Sequence, residues 1–223
     1  MHVIFRENHT LDDTDVPFDV NQTAAELIVL SFSDSDLGAF LAGWHRAKNI
    51  PDNENIPTLR LVNLIALKHP LSVDTYIEKT ASHAKGILIR LIGGKNYWSY
   101  GLMQLQDIAR KKDIALAIIP GDGREDPQLD ELSTVPVSTL RRLKTLCDYG
   151  GEVAAQAALA QLSVAAGLYF KPVKGKKEIS ACGFFCPNLG VISEEKVESL
   201  INTENATFIL SFYRSYLTAS DLD

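Results

Sequence analysis

The stretch ELIVLSFSDSDLGAFLAGWHRAK, residues 26–48, decides how the rest of the chain is read. Its opening run, ELIVLSF (26–32), is rich in Ile, Leu and Val without strict alternation, the pattern of a strand covered on both faces. Asp34 and Ser35 are N-cap residue types, and the LGAFLAGWHRAK behind them has the length and composition of a helix of about three turns. A buried-type strand that runs straight into a helix is the first half of a βαβ unit. Moving outward, LRLVNLIA (59–66), GILIRLI (86–92) and IALAII (114–119) predict three more such strands. VDTYIEKTAS after Ser72, and YWSYGLMQLQDIARKK, supply the helices between them.

Strands interleaved with helices in this way predict an α/β fold, an open and mostly parallel sheet with helices on both faces, of flavodoxin or Rossmann type. His2–Arg6 offers a further edge strand, followed by an acidic, Pro-containing loop over 8–22. Pro120-Gly121-Asp122-Gly123 has tight-turn composition and opens a polar loop. Two helices follow, about 137–147 and 152–166, parted by Gly150-Gly151, and the Ala-rich second one suits a close-packed layer against the sheet. The stretch 170–188, rich in Lys, Gly and Pro, reads as a linker or covering loop. It leads to a short acidic helix, SEEKVESLIN, and a strand ATFILSFY (206–213) that opens a new βα unit shortly before Asp223. The expected organisation is an α/β head domain over 1–169, a linker with a short helix over 170–205, and the start of a second α/β domain over 206–223.

Composition narrows the function classes. At 223 residues, 46% hydrophobic and 22% charged, the chain is long enough for a real core and is not of disordered type. A net charge of −6, with no basic run longer than Arg110-Lys111-Lys112, argues against binding nucleic acid through phosphates and against docking on an anionic membrane. No apolar stretch approaches the roughly 20 residues of a membrane span, and no signal-type segment precedes His9. Three cysteines do not make a disulfide framework. The chain reads as cytoplasmic.

Open parallel sheets bind ligands at the carboxyl ends of their strands, near the point where strand order reverses. Here those ends carry Ser33, Asp34, Ser35 and Asp36 after the first strand, Lys68 and His69 after the second, and Gly93-Gly94 with Tyr97 and Trp98 after the third. Two readings stand for this set. Ser33, Asp34, Asp36, His69, Tyr97 and Trp98 form a ligand or interface rim, with the aromatics as a platform for a flat molecule; or Asp34 or Asp36 caps a helix, Gly93-Gly94 simply makes a turn and the aromatics are partial core. Gly94-Lys95 is not a Walker A loop, because Ile89 and Asn96 stand where that motif needs Gly and Ser or Thr. No G-x-G-x-x-G, H-E-x-x-H or G-x-S-x-G occurs, the five histidines never take zinc spacing, and Cys182 and Cys186 lack a second pair. No catalytic residue and no metal site is assigned.

Several of these blocks resemble a known family. Leu30-Ser31-Phe32-Ser33-Asp34-Ser35-Asp36-Leu37, His69-Pro70-Leu71-Ser72-Val73-Asp74-Thr75-Tyr76 and Ile89-Arg90-Leu91-Ile92-Gly93-Gly94 with Tyr97-Trp98-Ser99-Tyr100-Gly101 are similar to the N-terminal region of the aerobic cobaltochelatase large subunit. Leu146-Cys147-Asp148-Tyr149-Gly150-Gly151, Ala165-Ala166-Gly167-Leu168-Tyr169 and Phe212-Tyr213-Arg214-Ser215-Tyr216-Leu217 extend the likeness, which is weakest over 171–186. The resemblance implies a tetrapyrrole-binding subunit, akin to that of magnesium chelatase, in a ligase that forms nitrogen–metal bonds. It inserts Co2+ into hydrogenobyrinic acid a,c-diamide, a corrin-pathway macrocycle, during cobalamin (vitamin B12) biosynthesis. It further implies two AAA+ partner subunits that use ATP and Mg2+, which agrees with the missing P-loop here. This chain would be an N-terminal fragment, non-catalytic alone and binding no cofactor itself, with the remainder of the large subunit as a partner. The alternatives are a stand-alone flavodoxin-like module for a small ligand, or a docking platform for the AAA+ subunits.

Overall fold

A computed structural model of the chain describes residues 16–51, 55–171, 182–186, 188–200 and 210–211. In order, the elements are β1 (Leu27–Ser31), α1 (Asp34–Lys48), β2 (Leu59–Asn63), α2 (Pro70–Lys79), β3 (Gly86–Leu91), α3 (Ser99–Lys112) and β4 (Ala115–Pro120). There follow α4 (Pro127–Leu132), α5 (Val137–Tyr149), α6 (Gly151–Ala165), β5 (Phe184–Cys186), β6 (Gly190–Ile192) and α7 (Glu194–Leu200). β1 to β4 form one parallel sheet in the order β2-β1-β3-β4, so the α/β architecture holds.

Successive strand residues face opposite sides, which is why the strand sequences are apolar throughout instead of alternating. On one face, Ile28, Leu30, Ile87, Ile89, Leu116 and Ile118 pack with Val73 and Tyr76 of α2, Leu102 and Leu105 of α3 and Leu129 of α4. On the other, Leu27, Val29, Leu88, Ala117 and Ile119 pack with Phe40 of α1, Leu140 and Leu143 of α5, and Leu159 and Leu162 of α6. In that second layer α1 and α6 come together at Gly43. A Cβ there would lie 2.6 Å from the Gln156 backbone nitrogen and 2.8 Å from the Glu152 carbonyl oxygen, so only glycine permits the approach.

Among the described residues no fifth strand pairs with the outer edge of β4, where side chains take up backbone groups. The Thr134 hydroxyl accepts from Leu116 N (2.8 Å) and donates to Ile114 O (2.7 Å), while Ser133 Oγ accepts from Ile118 N (3.0 Å).

Several boundaries differ from the sequence expectation, each for a local reason. The second strand stops at Asn63 instead of Ala66, because the Asn63 side chain accepts from Ile65 N (3.0 Å) and turns the chain into a 3-10 segment, Leu64–Leu67. The cap of α1 is Ser33, not Asp34 or Ser35. α2 begins at Pro70, before Ser72, since proline suits the first helical position and His69 caps it. The polar loop after Gly123 contains α4, started by Asp126 and Pro127 on the same logic. The stretch 170–188 is not wholly loop, because Phe184–Cys186 pairs antiparallel with Gly190–Ile192 and places Cys186 on a strand. The strands expected at 2–6 and 206–213 lie outside the described residues, apart from Leu210 and Ser211, which are in neither helix nor strand.

Candidate functional site

The chain leaves β1 for β2 on one side and returns to β3 on the other, so the switch point lies between the carboxyl ends of β1 and β3. A crevice of about 170 Å3 sits there, lined by Ser33, Ser35, Asp36, Arg90, Cys147 and Gly151 among others. It is smaller than the roughly 300–1,000 Å3 of sites that enclose small molecules.

Arg90 dominates this crevice. It is the one charged side chain of β3, and it reaches the interior layer with only 13% of its side chain exposed. Its Nη1 pairs with Asp36 Oδ1 and its Nη2 with Asp148 Oδ1 (3.1 Å). Asp36 also accepts from the Ser31 hydroxyl (2.8 Å), and Asp148 from Lys144 Nζ (2.7 Å). Burial opposes the guanidinium charge, but the Asp36 and Asp148 carboxylates outweigh it and hold the Arg90 pKa above its ordinary value. Two cations thus meet two anions, a neutral set that joins β1, α1, β3 and α5. Arg90 Nε, also buried, has no hydrogen-bond partner among the described residues.

Cys147 lies beside this cluster. Burial pushes its thiol up to about 12, against a partly opposing pull from Arg90, so it is a neutral thiol at physiological pH. A nucleophile or metal ligand needs the thiolate, which this environment disfavours. Among the described residues no group of three or more His, Cys, Asp or Glu side chains could hold a metal ion.

The residues singled out from sequence fall into separate settings. Ser33 accepts from Asp36 N (3.3 Å) as the helix cap. Asp34 accepts from Asn63 Nδ2 (2.7 Å) and ties the ends of β1 and β2 together. Asp36 belongs to the Arg90 cluster. His69 Nδ1 accepts from Leu71 N (3.1 Å), which makes the imidazole a cap of α2. Tyr97 is exposed over the carboxyl edge, its ring edge-on to Phe32 with centroids 5.1 Å apart. Trp98 is core: it is 6% exposed, donates from Nε1 to Leu67 O (2.8 Å), and lies so close to Gly101 that a Cβ there would fall 2.2 Å from its ring. The structure brings Ser33 and Asp36 together at the crevice, sets Tyr97 nearby through Phe32, and turns Trp98 inward. Sequence reasoning missed Arg90, Lys144 and Asp148. One signal was present, a lone arginine inside GILIRLI, since a charged residue in a fully covered strand needs a partner.

No protein-family model matches the chain. It is 31% identical over 229 aligned positions to the aerobic cobaltochelatase subunit CobN of Sinorhizobium sp, covering 99% of this chain and 17% of that protein. It is 41% identical over 130 positions to the aerobic cobaltochelatase subunit CobN of Pseudomonas aeruginosa, covering 58% of this chain and 10% of that protein. A solved structure, the catalytic subunit of cobaltochelatase from Mycobacterium tuberculosis, superimposes at a TM-score of 0.48 with 20% identity, over 68% of this chain and 11% of the other. With sequence similarity running through nearly its whole length, the chain belongs to the aerobic cobaltochelatase CobN family, and it spans 17% and 10% of the lengths of the two members it matches.

Proposed function

We propose that this chain acts as a non-catalytic α/β module of the large subunit of a cytoplasmic, ATP-dependent cobaltochelatase. In this reading it is the N-terminal part of that subunit, with an α/β head over 1–169, a linker over 170–205 and the start of a second domain over 206–223. The full subunit, with two AAA+ partners that use ATP and Mg2+, inserts Co2+ into hydrogenobyrinic acid a,c-diamide as a nitrogen–metal ligase. Cobalt is substrate here and not a resident cofactor of the chain. The observation that carries the reading is the match to a CobN subunit over 99% of the chain. The non-catalytic role is supported by the internal use of the polar groups at the strand ends: Ser33 and His69 cap helices, and Asp36 is ion-paired. A flavodoxin-like ligand module is less favoured, because Arg90 and its two carboxylates occupy the switch point where such a ligand would sit.

The test is a chimera in which this chain replaces the matched stretch of the Sinorhizobium subunit. Assayed with its AAA+ partners, ATP, Co2+ and macrocycle, the chimera should insert cobalt, and the chain alone should give no turnover. A chimera that folds but is inactive, or turnover by the isolated chain, would overturn the proposal.

A further inference from the structure

We draw no further inference here: the strongest candidate, the crevice at the switch point lined by Arg90 and by the N-terminus of α6 at Gly150-Gly151, belongs to the site already described, and the guanidinium that would receive an anion there is taken by Asp36 and Asp148.

Discussion

Removing the Arg90 guanidinium should be the costliest single polar change in this fold. Arg90→Met keeps most of the aliphatic stem but leaves Asp36, 16% exposed, facing the interior with only the Ser31 hydroxyl as a side-chain partner among the described residues. Asp148 is a third exposed and keeps Lys144, so it adds little to the loss. Breaking a buried pair by removing one member costs about 3–5 kcal/mol. The surviving Ser31 contact places this case near about 3 kcal/mol. For a domain of this size that corresponds to a fall of roughly 6–12 °C in melting temperature. Most of the penalty comes from the orphaned carboxylate, so Arg90→Met/Asp36→Asn should recover part of it, with a coupling energy of about 1–3 kcal/mol. The assay is urea unfolding followed by circular dichroism and by Trp44 and Trp98 fluorescence, with coincident transitions required before energies are compared. A loss below about 1 kcal/mol for Arg90→Met, or strict additivity in the double variant, would refute the claim that this pair holds the switch point together.

Three further changes probe other parts of the argument. Gly43→Ala forces a methyl group against the α6 backbone, and calorimetry should show a loss of about 1–3 kcal/mol; a neutral result would mean that α1 and α6 are less tightly apposed. Thr134→Val leaves Leu116 N–H without its acceptor at the β4 edge, for a loss of about 1–3 kcal/mol in denaturant unfolding, and Thr134→Ser should restore most of it. Cys147 gives a pH signature: its thiol ionises near 9 when unfolded and at about 12 in the fold. Between those values the unfolded state binds fewer protons, so this contribution is complete below pH 9 and is lost as the pH rises toward 12. Cys147→Ala should flatten the alkaline limb of the stability profile by up to about 4 kcal/mol, and an unchanged limb would show that the thiol is not buried as described.

Much of the architecture is legible in sequence because it is encoded locally. The apolar runs at 26–32, 59–66, 86–92 and 114–119 each contain a strand of the sheet, since a doubly covered strand needs continuous hydrophobicity. Errors arose where a single side chain overrides the pattern. Asn63 ends β2 three residues early by accepting from the backbone N–H of Ile65, and His69 caps a helix, a role its residue type does not announce. The short helix α4 is not legible in sequence, because six residues carry too little periodicity.

What the chain determined by itself is the kind of layer each segment enters, through residue spacing, capping and the absence of nucleotide and metal motifs. What only the tertiary structure decided is how distant residues meet. Asp36, Arg90 and Asp148 lie on three elements separated by more than fifty residues each, and no local pattern links them. The same holds for Gly43 beneath Gln156 and for Thr134 at the edge of β4. These contacts close long loops, so they exist only once the strands are in register. They set a neutral, internally paired cluster at the switch point between β1 and β3.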